Sequence, residues 1–230
     1  MLLSEKNIAK KLGNKLEILI KYTELLKSKN KFINLTSFDE DEFFLEVVVD
    51  SLVPWYIGIM KNFEKVKVLD IGTGAGIPGI PLAIVLEKVH FSLIDSKKKK
   101  IDFVKYAKKM LNLKNVTTYC ERVESFALKN LKAFDTVISR AVGEVVILLE
   151  YAAPLLKIGG NLILFKGQKI EKELEKSRKI TDLLGFSMPN VIIYKLNEDK
   201  ERNLVVFEKV SETPERFPRK PGMAVKRPLA

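Results

Sequence analysis

The chain has 230 residues, enough for one sizeable domain and a small extension. Its 47% hydrophobic content supports a core, but no apolar run approaches the ~18–20 residues of a membrane helix, and the opening MLLSEKNIAKK is too poor in apolar residues for a signal peptide. Lys and Arg number 40 against 29 acids, and the formal charge of +11 fits either a polyanionic partner or a lysine-rich solvated surface.

Residues 4–28 read as one amphipathic helix, with Ile8, Leu12, Leu16, Leu19 and Leu26 at helical spacing and lysines between them. Lys31–Ser37 breaks the pattern. Ser37 and Glu40 make a capping-box pair, and the acids at 39–42 suit the start of a second helix through Phe43, Phe44, Val47 and Val48. Pro54 marks its end or a kink. These helices, residues 1–60, are expected to cap a sheet.

From 61 to 212 strands and helices alternate. Val66–Asp70 is a strand and Gly79–Leu86 a helix; Phe91–Asp95 is the second strand and Lys97–Asn112 the second helix, with Ile101, Val104, Ala107 and Leu111 on one face. Val116–Cys120 is a short third strand, and a brief helix near Glu124–Asn130 leads to the fourth, Phe134–Ser139. Glu144–Leu156 is a nearly all-apolar helix, hence buried on several sides, with Gly159 and Gly160 placed as a C-cap. Asn161–Lys166 is the fifth strand, and Lys169–Leu184 a helix turning Ile170, Leu174, Ile180 and Leu184 inward. Val191–Leu196 and Leu204–Lys209 are separated by NEDKERN, too short for a helical crossover, so they form an antiparallel hairpin. Residues 213–230 hold four prolines, five basic residues and one acid. That composition favours a disordered terminus over a basic arm packed near the active site and touching nucleic acid.

The organising stretch is Val66–Gly79, VKVLDIGTGAGIPG. Gly72, Gly74 and Gly76, at every second position, suit a tight turn approached closely by a ligand, and Pro78 and Pro81 are tolerated in the first turn of the helix that follows. The pattern is D-x-G-x-G-x-G rather than G-x-G-x-x-G. Asp95 lies 19 residues past Gly76, where an acid can take both hydroxyls of a ribose. No G-K-[ST] follows, which tilts the cofactor away from nucleoside triphosphates and toward S-adenosylmethionine. The expected fold is α/β: a Rossmann-like class I methyltransferase whose doubly wound, mostly parallel seven-stranded sheet ends in an antiparallel hairpin, with an N-terminal helical extension. A dehydrogenase would instead repeat a second parallel half.

With these residues assembled, the chain resembles the bacterial small-subunit ribosomal RNA guanine-N7 methyltransferases, the glucose-inhibited division protein B family. The resemblance runs through Asn34–Ser37, Asp50–Leu52, LDIGTGAGIPGIPLA at 69–83, LIDSKKK at 93–99, LNLKNV at 111–116, RVE at 122–124, FDTVISRA at 134–141, FKG at 165–167 and FPRKPG at 217–222, with a final KRPL. It departs at Glu46-Val47, where the family usually carries Arg-His; Glu46 is taken as a helix residue outside the chemistry. The resemblance implies S-adenosylmethionine as cofactor and N7 of a guanine in the 530 loop of 16S rRNA as acceptor, on naked rRNA, the 30S subunit or an assembly intermediate.

On that resemblance, Gly72, Gly74 and Gly76 pass under the methionine portion of the cofactor and Ile77 packs beside it. Asp95, with Ser96, holds the ribose, Val123 and Glu124 flank the adenine, and Arg140 stands beside cofactor or guanine. Asn34, Arg216, Arg219, Lys220, Lys226 and Arg227 are RNA candidates. Lys166 meets RNA phosphate or is merely solvated, and some of Lys97–Lys100 form a solvated face. N7 carries a lone pair and no proton, so no catalytic base is required and none is assigned. His90, the only histidine, precedes the second strand at the wrong end of the sheet, and Cys120, which excludes an internal disulfide, reads as a small buried residue. No metal, membrane or obligate protein partner is expected, and a monomer in the cytoplasm is the simplest setting. A nicotinamide-dependent oxidoreductase and a non-enzymatic RNA-binding protein are the competing readings; calorimetry with S-adenosylmethionine and NAD separates the three.

Overall fold

The computed structural model describes residues 2–3, 5–33, 42–60 and 63–229. Asn34 and the Ser37–Glu40 capping pair lie outside the described residues. Two helices, α1 (Glu5–Leu12) and α2 (Lys15–Ile33), replace the single N-terminal helix expected. The break falls at Gly13, whose φ of +53° is left-handed and cannot continue a helix. A π-helical turn, Leu45–Val49, precedes α3 (Val53–Tyr56). Pro54 therefore opens a helix instead of ending one, because an N–H is dispensable in the first turn.

The alternating core follows as β1 (Lys67–Ile71), α4 (Gly79–Val85), β2 (His90–Ile94), α5 (Lys98–Met110), β3 (Val116–Tyr119), α6 (Val123–Ala127), β4 (Phe134–Arg140), α7 (Val145–Ala152), β5 (Leu156–Lys166), α8 (Glu171–Leu183), β6 (Asn190–Lys195), β7 (Glu201–Glu208) and the short α9 (Met223–Lys226). The sheet order is β3-β2-β1-β4-β5-β7-β6. Strands β1 to β5 pair in parallel, while β7 runs antiparallel to both β5 and β6. The hairpin thus folds back so that its second strand, not its first, joins the sheet.

The α7–β5 boundary differs from the sequence expectation. The helix stops at Ala152, and β5 begins at Leu156, paired with Phe134. Gly159 and Gly160 lie within β5, at a register shift, and do not cap α7. A Cβ on Gly160 would sit 2.8 Å from the Asp135 carbonyl oxygen, so close backbone approach is what requires glycine there.

Two hydrophobic clusters flank the sheet. One joins α1, α2 and the 45–53 segment to α4, α5 and Val68, Phe91, Leu93 and Ile163 on one face. The other packs α6, α7 and α8 against Leu69, Val137, Leu162 and Phe207 on the opposite face. Phe217 and Ala224 belong to this second cluster, 5% and 1% exposed. The expectation of a disordered tail is thereby corrected: Phe217 gains apolar burial, Thr213 Oγ1 donates to the Ala153 carbonyl at 2.9 Å, and Arg219 pairs with the buried Glu150 at 2.6 and 2.5 Å. Cys120 is exposed, not buried, since it follows the edge strand β3. Among the described residues no helix is long and apolar enough to cross a membrane.

Candidate active site

The order of the sheet reverses between β1 and β4, and open α/β sheets place ligands at the carboxyl ends of strands flanking such a point. A cleft of about 300 Å³ lies there. Its walls are Ile71 and Gly72 after β1, Ile94–Lys97 and Lys100 after β2, Glu121–Glu124 before and in α6, Ala141 and Val142 after β4, Ile147 and Tyr151 of α7, and Val225 of α9.

The glycine loop has φ of +68°, +58° and +93° at Gly72, Gly74 and Gly76. Only Gly72 lines the cleft: a Cβ there would stand 2.2 Å from Val142 Cγ2, across the mouth. Gly74, Gly76 and Ile77 shape the loop behind it. The loop is held from three sides. Gly74 N–H donates to Asp95 Oδ2 at 3.1 Å, Tyr22 Oη of α2 donates to the Ala75 carbonyl at 2.9 Å, and Asp70 lies beneath. Asp70 Oδ2 accepts from Thr73 Oγ1 at 2.6 Å and from Gly79 N–H at 3.0 Å, while Oδ1 is buried without a partner. Burial pushes the Asp70 carboxyl up to about 7; the two hydrogen bonds oppose that rise, and the neighbouring Asp95 adds to it.

The sign of the resulting pH effect is fixed. A carboxyl raised in the folded state contributes stability that is full below about pH 4 and is lost as pH rises through about 7. Urea titrations of the parent and Asp70→Asn should therefore diverge. The parent loses up to about 1.4 kcal/mol per pH unit relative to the variant across that window, with a flat difference above it. Parallel curves from pH 4 to 8 would show that Asp70 does not titrate there.

Asp95 closes the opposite wall, its Oδ1 accepting from Lys97 N–H at 2.8 Å. Glu124 is 4% exposed. Its Oε1 accepts from Gly222 N–H at 2.7 Å, and its Oε2 is buried. Burial, then the Glu124 charge, pushes the Tyr151 phenol up to about 12. Ser96 and Val123 also line the cleft, so the structure gathers Gly72, Asp95, Ser96, Val123 and Glu124.

Arg140 turns elsewhere. Its Nη1 donates to the Glu46 carbonyl at 2.7 Å and meets Asp50 Oδ2 at 2.8 Å, and its Nη2 meets Glu46 Oε2 at 3.2 Å. Glu46 also binds Lys200 at 3.0 Å and Arg202 at 3.2 Å, and Asp50 accepts from Tyr194 Oη at 2.5 Å. The Arg140 guanidinium ties the π-helical turn to β4 and the β6–β7 hairpin. Glu46, expected only as a helix residue outside the chemistry, is the hub of this buried cluster. The sequence did carry a signal: acids four apart inside LEVVVD fall on one helix face among apolar residues, which implies burial and partners.

Lys166 is likewise engaged, with Glu173 at 2.7 Å and the Gly143 carbonyl at 2.6 Å, so it is not merely solvated. Arg219 is consumed by Glu150. Arg216, Lys220, Lys226 and Arg227 remain exposed. His90 opens β2 at the far edge, beside Thr117 Oγ1 at 3.1 Å. Among the described residues no group of three or more His, Cys, Asp or Glu is placed to hold a metal.

The cleft fits the cofactor expected from the sequence. Asp95 offers a carboxylate for ribose hydroxyls, Glu124 adds a second carboxylate to the wall, and Val123, Ile147 and Val225 give an apolar slot for a flat base. Solved structures share the fold. The chain matches M. jannaschii TYW2 in complex with AdoMet at TM-score 0.55 and 19% identity, covering 70% of this chain and 77% of that one. It matches the tRNA (m1A58) methyltransferase TrmI of Aquifex aeolicus at TM-score 0.52 and 19% identity, covering 69% and 68%. Sequence relatives are nearer. A protein of Carboxydothermus hydrogenoformans called ribosomal RNA small subunit methyltransferase G is 42% identical over 219 residues, 94% of this chain and 92% of the relative. One of the same name from Clostridium tetani is 37% identical over 225 residues, 94% and 91%. The family model described as GidB, rRNA small subunit methyltransferase G, matches residues 15–205, and with such relatives along nearly its whole length the chain belongs to that family.

Proposed function

We propose that the protein transfers the methyl group of S-adenosylmethionine to N7 of a guanine in the 530 loop of 16S rRNA, acting as a monomer in the cytoplasm on the RNA, the 30S subunit or an assembly intermediate. The observation that carries this reading is the cleft at the β1–β4 switch point, where the glycine loop, Asp95 and the buried Glu124 carboxylate converge in a chain of this family. When bound, the cofactor supplies an electrophilic sulfonium methyl. The protein's own groups hold it: Asp95 at the ribose, Glu124 and the apolar slot at the adenine, the glycine loop at the methionine end. N7 has an in-plane lone pair and loses no proton, so positioning and exclusion of water are what the site must provide. No histidine lines the cleft. Lys97, Lys100 and Arg122 at its rim suit a polyanionic substrate. The antiparallel β7, standing where a dehydrogenase would continue a parallel half, argues against the oxidoreductase reading.

Mass mapping of 16S rRNA after incubation with the protein and S-adenosylmethionine should place one methyl on N7 of a 530-loop guanine. A methyl elsewhere, or on an exocyclic nitrogen, overturns the assignment. Single-turnover rates at saturating cofactor should be flat from about pH 6 to 8, because no proton is removed in the chemical step. A log-linear rise across that range would require a base.

A further inference from the structure

The C-terminal tail enters the cleft itself. Val225 stands in its wall beside Val142, Ile147 and Tyr151, yet Val225 is 59% exposed. The turn carrying it is fixed: Ala224 is buried, Lys226 N–H donates to the Gly222 carbonyl at 3.1 Å, and Arg219 Nη2, held by Glu150, donates to the Arg227 carbonyl at 3.0 Å. Exposure of one valine needs no explanation by itself; its place on a fixed turn in the lining of a cleft with other apolar side chains is what suits it to pack on a bound ligand. The neighbouring Glu124 carboxylate, in the same cleft wall, is held by the tail: one oxygen accepts from the Gly222 amide 98 residues away, and the buried carboxylate acts on the Tyr151 phenol beside it.

We propose that the tail is one wall of the cofactor site. Val225 packs on the adenosine portion, and the Gly222 amide is a positioning group that fixes the Glu124 carboxylate in the cleft wall beside Tyr151. This rests on the S-adenosylmethionine reading above. With the tail undocked, Glu124 loses its fixed donor and turns to water, and the slot loses one side. Cofactor and tail therefore bind cooperatively. By linkage, the factor by which the tail tightens the cofactor equals the factor by which the cofactor tightens the tail.

That equality is the test. Calorimetry with S-adenosylhomocysteine on the full chain and on a chain ending at Glu212 should show affinity falling about tenfold or more in the shorter one. In the unaltered full chain, saturating S-adenosylhomocysteine should slow hydrogen exchange at the Gly222, Lys226 and Arg227 amides by a comparable factor. Val225→Asp should weaken S-adenosylhomocysteine binding without lowering the melting temperature, because the residue is exposed in the free protein. A full chain that binds the ligand with unchanged tail exchange, or a Val225→Asp variant that binds as tightly as the parent, overturns the proposal while leaving the cofactor reading intact. A full chain that binds no S-adenosylhomocysteine overturns both. The exchange result decides if the shortened chain fails to fold.

Discussion

Arg140→Met should lower folding stability by about 3–5 kcal/mol, the range for removing one partner of a buried ion pair. Arg140 is 11% exposed at its side chain, and its partners Glu46 and Asp50 are 5% and 2% exposed. Glu46 would keep Lys200 and Arg202. Asp50 would keep the Arg202 charge nearby and the Tyr194 hydroxyl, which itself titrates far above its ordinary range because of burial and the Asp50 charge. The deficit should therefore depend on pH. Burial already raises the Asp50 pKa, and the Arg140 charge is the chief opposing influence. Without that charge the folded-state pKa climbs further above the unfolded value. The variant's deficit should be least below the ordinary aspartate range and should open as pH rises through the raised pKa. Urea denaturation at pH 4 and pH 8 reads this directly. A loss under 1 kcal/mol at pH 8 would show that the cluster is solvated. Because Arg140 is followed by Ala141, at φ +58°, and by Val142 against Gly72, the same variant should also loosen the cleft wall.

The second large effect is expected at Asp95. Its carboxylate accepts the Gly74 and Lys97 amides and faces the cleft. On the proposed role of Asp95 at the ribose, Asp95→Ala removes a charged acceptor from the cofactor and also frees the middle of the glycine loop. Hydrogen bonds to charged groups contribute about 1.5–3 kcal/mol, so affinity for S-adenosylmethionine should fall roughly ten- to hundredfold. Asp95→Asn keeps one acceptor and should lose less. Equal affinities for all three proteins, by calorimetry, would remove Asp95 from the site. Gly74→Val tests the loop differently than the spacing suggests. A Cβ at Gly74 meets nothing nearer than Lys100 Nζ at 3.5 Å, so the cost comes from its φ of +58°, not from a collision.

By itself the sequence determined most of the alternating elements and which residues follow β1 and β2 at the cleft. Apolar runs of strand length alternate with helical periodicity from Val66 to Leu184, and the seven residues between the last two strands cannot span a parallel crossover. These are local constraints: covalent reach, backbone sterics and side-chain period act within a few residues. For the same reason Gly72 and Asp95 were legible, since each follows its own strand directly. What only the tertiary structure decided is which charge meets which. Arg140 and Lys166 both end strands at the ligand edge, and nothing local says that Glu46, 94 residues earlier, or Glu173 has claimed them. The tail reads as disordered because its prolines and cations carry no period. It becomes a wall because Phe217 finds the α7 side of the core, Arg219 finds Glu150 and Gly222 finds Glu124. An ion pair or a buried amide has no sequence spacing of its own; its partner is fixed only once the sheet has brought distant segments within 3 Å.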